Sequence, residues 1–418
     1  MKKVFIYFFI FHYFICNKLI IPIYKKNYEF NSIESYIFNN YLSKISIGKP
    51  QQKIECNLRL DSPQFVIKSK ELNGIYDNNL SNSYYSSDNT LKTYYWGPYY
   101  YIGIDSKEEI SFNKEKTINN LNFILIQNIS NELNFNYNCS IGLRIKDMFN
   151  SNEILFQLKN QKIIDNYIIS INLNNKDKNE IIIGEYPKNF NFKLINAKIN
   201  ERFNFWLIKF DNIYFGNSTD TYKECEFSFN FNGFIGSSTY HEYVNNTFFN
   251  YYLNKKICFT KIIYKNKYLS YVCSDKINFN NFESINFESY SLNETFVFDY
   301  NDLFHKEGNQ YYFLVIFQLD RSNKWIFGEL FFQKNKIVFD YNKKIIGIFN
   351  EMKLSEEKNN YLNFVYKILV YLVFINIIIL FFLYKLMKFC NKPKYRKNKI
   401  NELLEIDNMN YNFFKNEK

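Results

Sequence analysis

Glycine, proline and histidine are scarce in this chain, which has 12 Gly, 6 Pro and 3 His among 418 residues. The histidines are His12, His241 and His305, so no His pair supplies a zinc site, and there is no Cys-x-x-Cys either. A Gly-x-Ser-x-Gly turn for a nucleophilic serine and a glycine-rich phosphate-binding loop are also missing. We therefore expect no metal site and no cofactor.

Apolar residues are plentiful. The chain is 47% hydrophobic and 22% charged, which excludes a wholly disordered protein. Its length predicts roughly two to three domains, or one large two-lobed domain. Asn, Lys, Ile, Phe and Tyr recur throughout, a skew typical of AT-rich coding sequences. Runs of Asn, Lys or Tyr are therefore weak indicators of function.

Both ends of the chain carry sorting signals. Two lysines precede an apolar stretch near the N-terminus, so residues 1–16 are predicted to be a secretory signal peptide. Residues 362–387 form an apolar run long enough to span a bilayer as a helix. The flank after this run is basic, which predicts a type I membrane protein with its large segment lumenal or extracellular. Residues 351–361 would then be a juxtamembrane linker, and residues 388–418 a basic cytosolic tail.

The basic excess is concentrated in that tail. From Lys385 onward there are nine Lys and Arg against four Asp and Glu, a net +5 of the formal +11. A basic stretch beside a membrane is attracted to anionic lipid, so this charge is a poor indicator of nucleic-acid binding and we expect none. Cys390 lies among these lysines, where it is either palmitoylated or an unmodified thiol.

Residues 30–349 have the pattern of β structure. Apolar or alternating runs rich in Ile, Phe, Tyr and Val are separated by Asn, Asp and Ser clusters, and few stretches have helical periodicity. Examples are residues 40–47, 52–60, 163–173, 180–184, 205–215 and 323–339. The segment is too long for one simple sandwich, so we expect a doubled all-β architecture with a few short helices.

An odd number of cysteines lies in this segment, so at least one is unpaired within the chain. They are Cys56, Cys139, Cys225, Cys258 and Cys273. An oxidising compartment favours pairing of the others. Cys258 and Cys273 stand at the ends of one hairpin-like stretch and are predicted to form a disulfide.

Several motifs follow one another in a recognisable order. They are YLSKISIGKPQQ (41–52), NCSIGL (138–143), EIIIGE (180–185), FWLIKFDNI (205–213), KWIFGELFF (324–332) and VFD (338–340). This series resembles the pepsin family of aspartic proteases, including its plasmepsin-type members from parasites. Each motif is weak alone, but their order over most of the chain is specific.

The resemblance implies a mainly β, bilobal pepsin-like fold. A peptide-binding cleft would lie between an N-terminal lobe (41–195) and a C-terminal lobe (196–350), preceded by a short segment (17–40). Each lobe of such a protease normally offers one Asp-Thr/Ser-Gly loop to the cleft floor. The two aspartates share a proton, so that one activates water while the other protonates the scissile carbonyl. Pepsin-like zymogens also carry a substantial prosegment, for which residues 17–40 leave little room.

The first catalytic position is predicted to be substituted. Counting from Gly48 without gaps places the family's first catalytic aspartate at Arg59, and a guanidinium cannot accept a proton from water near neutral pH. A register shifted by two residues would use Asp61 instead, but it needs compensating gaps and lacks the loop glycine. Arg59 could hold a ligand carboxylate by a bidentate fork. The favoured alternative is that Asp61, on the same strand face, neutralises it internally.

The second catalytic position is also predicted to be substituted. The stretch GSST (236–239) resembles the sequel to the family's second loop, and counting back from it places the second aspartate at Ser228. The surrounding CEFSFNFNG (225–233) contains no aspartate. Glu226, two residues earlier, is the fallback carboxylate, although it would begin a loop without the usual glycine.

Two further features accompany these positions. Trp96 stands where the flap tyrosine of the family is expected, Gly97 follows it, and neighbouring tyrosines would make the flap a source of contact anchors. The alternative is that these tyrosines reflect composition alone. Cys56 and Cys225 each precede a substituted position by three residues. We expect two separate buried thiols there, with an interlobe disulfide as the alternative.

These observations predict a membrane-anchored pepsin-like pseudoprotease that binds a peptide or protein in its cleft or on its flap. One alternative is an active aspartic endopeptidase that uses an atypical carboxylate. The other is a surface adhesion or complex-assembly subunit whose cleft is filled and whose outer surface binds.

Overall fold

The computed structural model of the protein divides into two compact units, Met1–Asn350 and Glu351–Lys418. The residues that it describes are 17–25, 33–38, 41–96, 99–113, 116–130, 137–145, 153–173, 179–187, 193–199, 206–264, 266–320, 324–350, 352–390 and 402. The predicted signal peptide therefore lies outside the described residues.

The first unit is mainly β structure, as the sequence predicted. Its strands up to residue 199 are β1 (Leu19–Pro22), β2 (Tyr24–Lys25), β3 (Tyr41–Ile47), β4 (Gln52–Arg59), β5 (Phe65–Lys68), β6 (Tyr85–Ser86), β7 (Lys92–Trp96), β8 (Tyr99–Ser111), β9 (Thr117–Ile129), β10 (Cys139–Gly142), β11 (Ile168–Asn172), β12 (Glu180–Ile183), β13 (Lys193–Asn196) and β14 (Lys198–Ile199). The later strands are β15 (Trp206–Phe215), β16 (Ser218–Phe227), β17 (Phe234–Gly236), β18 (Cys258–Ile263), β19 (Tyr268–Ser274), β20 (Ile285–Ser289), β21 (Glu294–Phe298), β22 (Phe304–Glu307), β23 (Gln310–Phe313), β24 (Val315–Gln318), β25 (Trp325–Phe327), β26 (Asn335–Asp340) and β27 (Ile345–Asn350).

The described helices of the first unit are short. They are α1 (Ile33–Ile37), α2 (Ile154–Asn160), α3 (Ser238–Val244), α4 (Asn250–Asn254), α5 (Tyr300–Leu303) and α6 (Glu329–Lys334), with 3₁₀ turns at Lys70–Leu72, Asn78–Leu80 and Phe279–Asn281 and a π-helical turn at Asn245–Phe249. Helix α6 interrupts the run 323–339 that the sequence pattern assigned to strand. It buries the three consecutive apolar residues Leu330, Phe331 and Phe332, which an alternating strand would not place on one face.

Three sheets organise the strands of the described chain. A nine-stranded sheet contains β2 to β10, and a twelve-stranded sheet contains β14 to β25, so each half of the unit has its own sheet. The third, six-stranded sheet has the order β1-β12-β11-β26-β27-β13 and takes strands from both halves. This arrangement is the doubled architecture expected of a pepsin-like fold, and we refer to the two halves as the N-terminal and C-terminal lobes.

The same local motif occurs once in each lobe. In the N-terminal lobe, β10 pairs in parallel with β4 and antiparallel with β5. In the C-terminal lobe, β25 pairs in parallel with β16 and antiparallel with β17. The loop after β4 therefore passes over the short strand β10, and the loop after β16 passes over the short strand β25. The two loops occupy corresponding positions in the two lobes.

The segment before residue 41 is an integral part of this unit. Strand β1 pairs with β12 at the edge of the six-stranded sheet, and β2 pairs with β3. The side chains of Leu19, Ile21, Ile23, Ile33 and Ile37 are each at most 5% exposed. Burying one such side chain contributes on the order of 1.5–3 kcal/mol. A large part of the stability of the fold therefore depends on this segment.

The cysteine pairing differs from the expectation at one position. Cys258 and Cys273 form the predicted disulfide, and Cys225 is the predicted buried thiol. Cys56, expected to be a second free thiol, is instead bonded to Cys139. The reason is strand register, since Cys139 lies directly opposite Cys56 in the parallel pairing, whereas the residue opposite Cys225 is Trp325.

The second unit is described as one helix, α7 (Met352–Cys390). Within it, Phe364–Lys385 is long and apolar enough to cross a membrane, and none of these residues is buried. The helix also includes residues 352–361, which the sequence suggested as a linker. This stretch contains no Pro or Gly to interrupt a helix.

Peptide mapping of the unreduced protein tests this cysteine arrangement. We expect one peptide pair that joins Cys56 to Cys139 and another that joins Cys258 to Cys273, because these partners face each other across neighbouring strands. Cys225 should react with iodoacetamide only after denaturation, since it is fully buried. A Cys56–Cys225 peptide pair would contradict the strand register, and the same digest after reduction is the control.

Candidate functional site

The loop after β4 is held by backbone contacts with β10. The N–H of Leu143 donates to the carbonyl of Arg59 at 2.8 Å, and the N–H of Arg144 donates to that of Ser62 at 3.1 Å. A Cβ on Gly142 would lie 2.4 Å from the Ser62 carbonyl oxygen, so the strand can approach the loop this closely only with glycine. Arg59 is therefore fixed at the end of a buried strand.

The loop after β16 repeats this geometry in the other lobe. The N–H of Ser228 donates to the carbonyl of Phe327 at 2.9 Å. A Cβ on Gly328 would lie 2.4 Å from the Phe231 carbonyl oxygen, so Gly328 corresponds to Gly142. Arg59 pairs with Gly142, and extending the β16–β25 register by one residue places Ser228 opposite Gly328. Arg59 and Ser228 therefore occupy corresponding positions in the two lobes.

Neither of these side chains is a carboxylate. The Ser228 hydroxyl accepts a hydrogen bond from the N–H of Asn230 at 3.2 Å and so stabilises its own turn. The residues that follow the two positions, Leu60 and Phe229, are apolar and buried. The ring of Phe229 stacks on Phe332 with ring centroids 4.6 Å apart. The two loops together form the floor between the lobes. Buried apolar side chains support this floor directly after Arg59 and Ser228.

Arg59 and Asp61 form a bidentate ion pair. Nε of Arg59 donates to Oδ1 of Asp61 at 2.9 Å, and a terminal guanidinium nitrogen donates to Oδ2 at 2.5 Å. The Arg59 side chain is 12% exposed and that of Asp61 is 20% exposed. This is the internal neutralisation that the sequence favoured, and it occupies the guanidinium face that a ligand carboxylate would use.

Two residues outside this loop also bond to Asp61. Nδ2 of Asn230, from the opposite lobe, donates to Oδ2 of Asp61 at 3.0 Å. A terminal nitrogen of Arg144 donates to the Asp61 backbone carbonyl at 2.9 Å. Asn230 follows Ser228 by two residues, just as Asp61 follows Arg59. The two lobes are thus joined at the floor by corresponding residues.

These contacts determine the charge state of Asp61. Burial alone would raise the pKa of its carboxyl group, but the Arg59 charge and its hydrogen bonds, with that from Asn230, lower the pKa below the ordinary value. Burial also lowers the pKa of Arg144, partly offset by the charge of Asp61. Asp61 is therefore an ionised, internally paired carboxylate at neutral pH.

Glu226 has a different environment. Its side chain is 14% exposed, and Nζ of Lys324 lies 3.7 Å from one of its oxygens. Burial raises the pKa of Glu226, the Lys324 charge opposes this, and the charge of Asp61 adds to the increase. The fallback carboxylates Asp61 and Glu226 thus lie within electrostatic range of each other. Among the described contacts, however, each is paired with its own cation.

The flap is a hairpin of β7 and β8, in which Trp96 pairs with Tyr99. At its base the Tyr101 hydroxyl donates to the side-chain oxygen of Gln64, close to the first floor loop. Toward its tip the side chains of Tyr95 and Tyr100 are 74% and 43% exposed. Of the two residues expected in the flap, Trp96 ends strand β7 of this hairpin, while Gly97 lies outside the described residues.

No group of His, Cys, Asp and Glu side chains among the described residues could hold a metal ion.

Sequence reasoning missed Asn230 and Arg144. The spacing shared by Asp61 and Asn230 could have indicated Asn230, because both lie two residues after corresponding positions. Arg144 directly follows the NCSIGL motif, but nothing in the sequence indicates its contact with Asp61.

Two lobes that each present a loop to a common floor, with a hairpin flap over one of them, define the architecture of an aspartic protease. The family model of eukaryotic aspartyl proteases matches residues 40–350, which is most of the chain. The protein therefore belongs to the eukaryotic aspartyl protease family. No curated protein matches the sequence significantly.

Replacing Arg59 with Met tests the role of the ion pair. The Asp61 carboxylate would then be left without its main partner, and we expect a loss of stability of about 3 kcal/mol at pH 7. The folded-state pKa of Asp61 is lowered, so the pair stabilises the fold above the unfolded pKa of about 3.9, and this contribution disappears as pH falls through the folded value. The loss should therefore be smaller at pH 3 than at pH 7.

Urea unfolding of the first unit at the two pH values measures this difference. Lys92→Met is the matched control, since Lys92 forms a similar pair with Asp105 at 2.8 Å but is 45% exposed, and it should have little effect. Equal losses for Arg59→Met at both pH values would show that the ion pair is not the cause.

Proposed function

We propose that this protein is a membrane-anchored pseudoprotease of the eukaryotic aspartyl protease family that binds a peptide or protein ligand. The observation that carries the proposal is the ion pair at the cleft floor. Arg59 stands at the position that corresponds to a catalytic aspartate, and it engages Asp61 with both ends of a bidentate fork. The proposed likeness of the protein to plasmepsin-type members of the family rests on the order of its sequence motifs alone.

The chemistry of peptide hydrolysis in this family supports the proposal. Two carboxyl groups must share a proton, so that one acts as general base toward water and the other as general acid toward the carbonyl. A guanidinium group cannot act as a general base toward water, and the hydroxyl of Ser228 is no substitute for a carboxylate. The lowered pKa of Asp61 and its three side-chain hydrogen bonds leave it a poor proton acceptor.

One observation favours the alternative of an active endopeptidase. The pKa of Asp61 is lowered and that of Glu226 is raised, and carboxyl groups whose pKa values are pushed apart are typical of acid and base pairs. The separate cations argue against it, because Arg59 and Lys324 would have to release their partners before a water molecule could bridge the two acids. We therefore rank binding above catalysis.

The exposed flap tyrosines support the binding role. Tyr95 and Tyr100 present large aromatic surfaces, a residue type that often anchors protein interfaces. Peptides are the substrates of the family, so an extended peptide or a protein loop is the ligand class that we propose. An adhesion subunit that binds only through its outer surface would not use these residues.

The proposal includes a type I membrane topology. The apolar stretch Phe364–Lys385 supports a single crossing, and the two disulfides support an oxidising compartment for the first unit. The basic residues after the helix support a cytosolic C-terminus.

A peptide library incubated with the purified ectodomain tests catalysis and binding together. We expect no cleavage between about pH 3 and 7, because no carboxyl pair is free to exchange a proton. We expect retention of a subset of peptides, weakened at least tenfold by Tyr95→Ala with Tyr100→Ala. Mass spectrometry detects cleavage, and binding is measured by fluorescence anisotropy. Tyr251→Ala, at a residue 62% exposed in the C-terminal lobe, is the matched control.

Cleavage that disappears in Asp61→Ala or Glu226→Ala would establish the endopeptidase instead. An absence of both cleavage and retention would favour the adhesion subunit.

Membrane topology is tested in microsomes. We expect the full chain to resist carbonate extraction, and added protease to remove only the residues after the helix, because the large unit is enclosed. A variant that lacks residues 362–387 should be released by carbonate. Digestion of the large unit in intact vesicles would overturn the orientation.

A further inference from the structure

The segment before residue 41 reaches the cleft floor from the side of the C-terminal lobe. Nζ of Lys25 lies 2.5 Å from a carboxylate oxygen of Glu329, whose side chain is 3% exposed. The same ammonium group donates to Oδ1 of Asn232 at 2.7 Å. Asn232 is two residues beyond Asn230, which bonds to Asp61. This ion pair therefore attaches the segment beside the second floor loop.

Helix α1 then covers that loop. The N–H of Asn232 donates to the carbonyl of Ile37 at 2.7 Å, and its side-chain amide donates to the carbonyl of Tyr36. Ile33 and Ile37 are 1% exposed and belong to one apolar cluster with Phe231, Ile235, Ile263, Val272 and Ile316. The surface of the C-terminal lobe next to the floor is thus occupied by the protein's own chain.

Flanking contacts hold α1 from both sides. The N–H of Tyr264, after the β18 strand, donates to a Glu34 carboxylate oxygen at 2.9 Å. The ring of Phe38 stacks on Tyr264 with centroids 4.7 Å apart. On the other side Tyr36 stacks on His305 at 3.9 Å. The helix is therefore enclosed by the C-terminal lobe on several sides.

We propose that Lys25 and α1 form a permanent wall of the cleft, which remains in the mature protein and closes the described part of the floor on the side of the C-terminal lobe, so that a ligand enters from the flap side. The accessibility part rests on the proposed function, since it concerns the ligand of that same cleft. A ligand then contacts the flap and the N-terminal lobe, and it does not reach Phe231 or Ile235. The ligand class that fits is a peptide or loop bound along one side of the cleft.

Retention follows from the contacts of the segment. Leu19 and Ile21 are buried in the edge strand of a sheet that both lobes share, and Ile33 and Ile37 complete an apolar cluster. Removal of the segment would expose these surfaces and leave the Glu329 carboxylate buried without Lys25. The segment is thus held in the folded unit by strand pairing, apolar packing and an ion pair.

Mass spectrometry of the protein purified after expression in a secretory pathway tests retention. The first residue of the folded, mature protein should precede Lys25. A folded protein that begins after Phe38 would overturn the proposal.

Hydrogen exchange tests the wall independently of any ligand. In the double variant Ile33→Ala with Ile37→Ala, the amides of Asn232 and Tyr264 should exchange at least tenfold faster, because both are protected by the α1 segment. The amide of Phe234, bonded to Leu314 at 2.9 Å, should be unchanged and reports that the lobe is folded. Ile75→Ala, at a residue 53% exposed, is the control. Unchanged exchange at Asn232 and Tyr264 in the double variant would exclude the wall.

Photo-crosslinking of a retained peptide tests accessibility. We expect crosslinks to the flap in the wild type, and additional crosslinks to Phe231 and Ile235 only in the double variant. Crosslinks to Phe231 in the wild type would contradict the wall while leaving the proposed function intact. If no peptide is retained by either protein, the proposed function fails, and the exchange experiment still decides whether the wall exists.

Discussion

The ion pair between Arg59 and Asp61 is the constraint on which the properties of the cleft floor depend. It neutralises a partly buried guanidinium that would otherwise be costly to bury, and it keeps Asp61 ionised. Because Asn230 of the other lobe bonds to the same carboxylate, the pair also joins the two lobes at their centre. The Asp61 carboxylate thus bonds to two groups within the protein, the guanidinium of Arg59 and the side-chain amide of Asn230.

The backbone conformation of the two floor loops does not depend on the side chains at Arg59 and Ser228. Gly142 and Gly328 allow β10 and β25 to lie against the two loops, and the hydrogen bonds that define the loops are formed by main-chain atoms. Arginine, serine and apolar residues can therefore occupy positions within these loops while the fold is preserved. The fold of the family therefore does not depend on which side chains these loops display.

Much of the fold and part of the site could be predicted from the sequence. The strands β3, β4 and β15, the flap hairpin and the Arg59–Asp61 pair depend on local pattern or on neighbours in the chain. Asn230 and Cys139 could not be assigned, because their partners are remote in sequence and depend on how distant strands align. The role of Lys25 was missed for the same reason, since Glu329 lies at the other end of the unit.

The six-stranded sheet has a consequence for how the protein is made. Strands β11 and β12 are synthesised well before β26 and β27, yet β26 is the neighbour of β11 in the finished sheet. During synthesis β11 is completed more than 150 residues before its neighbour β26, which is followed by β27 and then by the apolar helix. We expect the first unit to fold slowly, with an open sheet edge at β11 that needs chaperone protection until β26 has been synthesised.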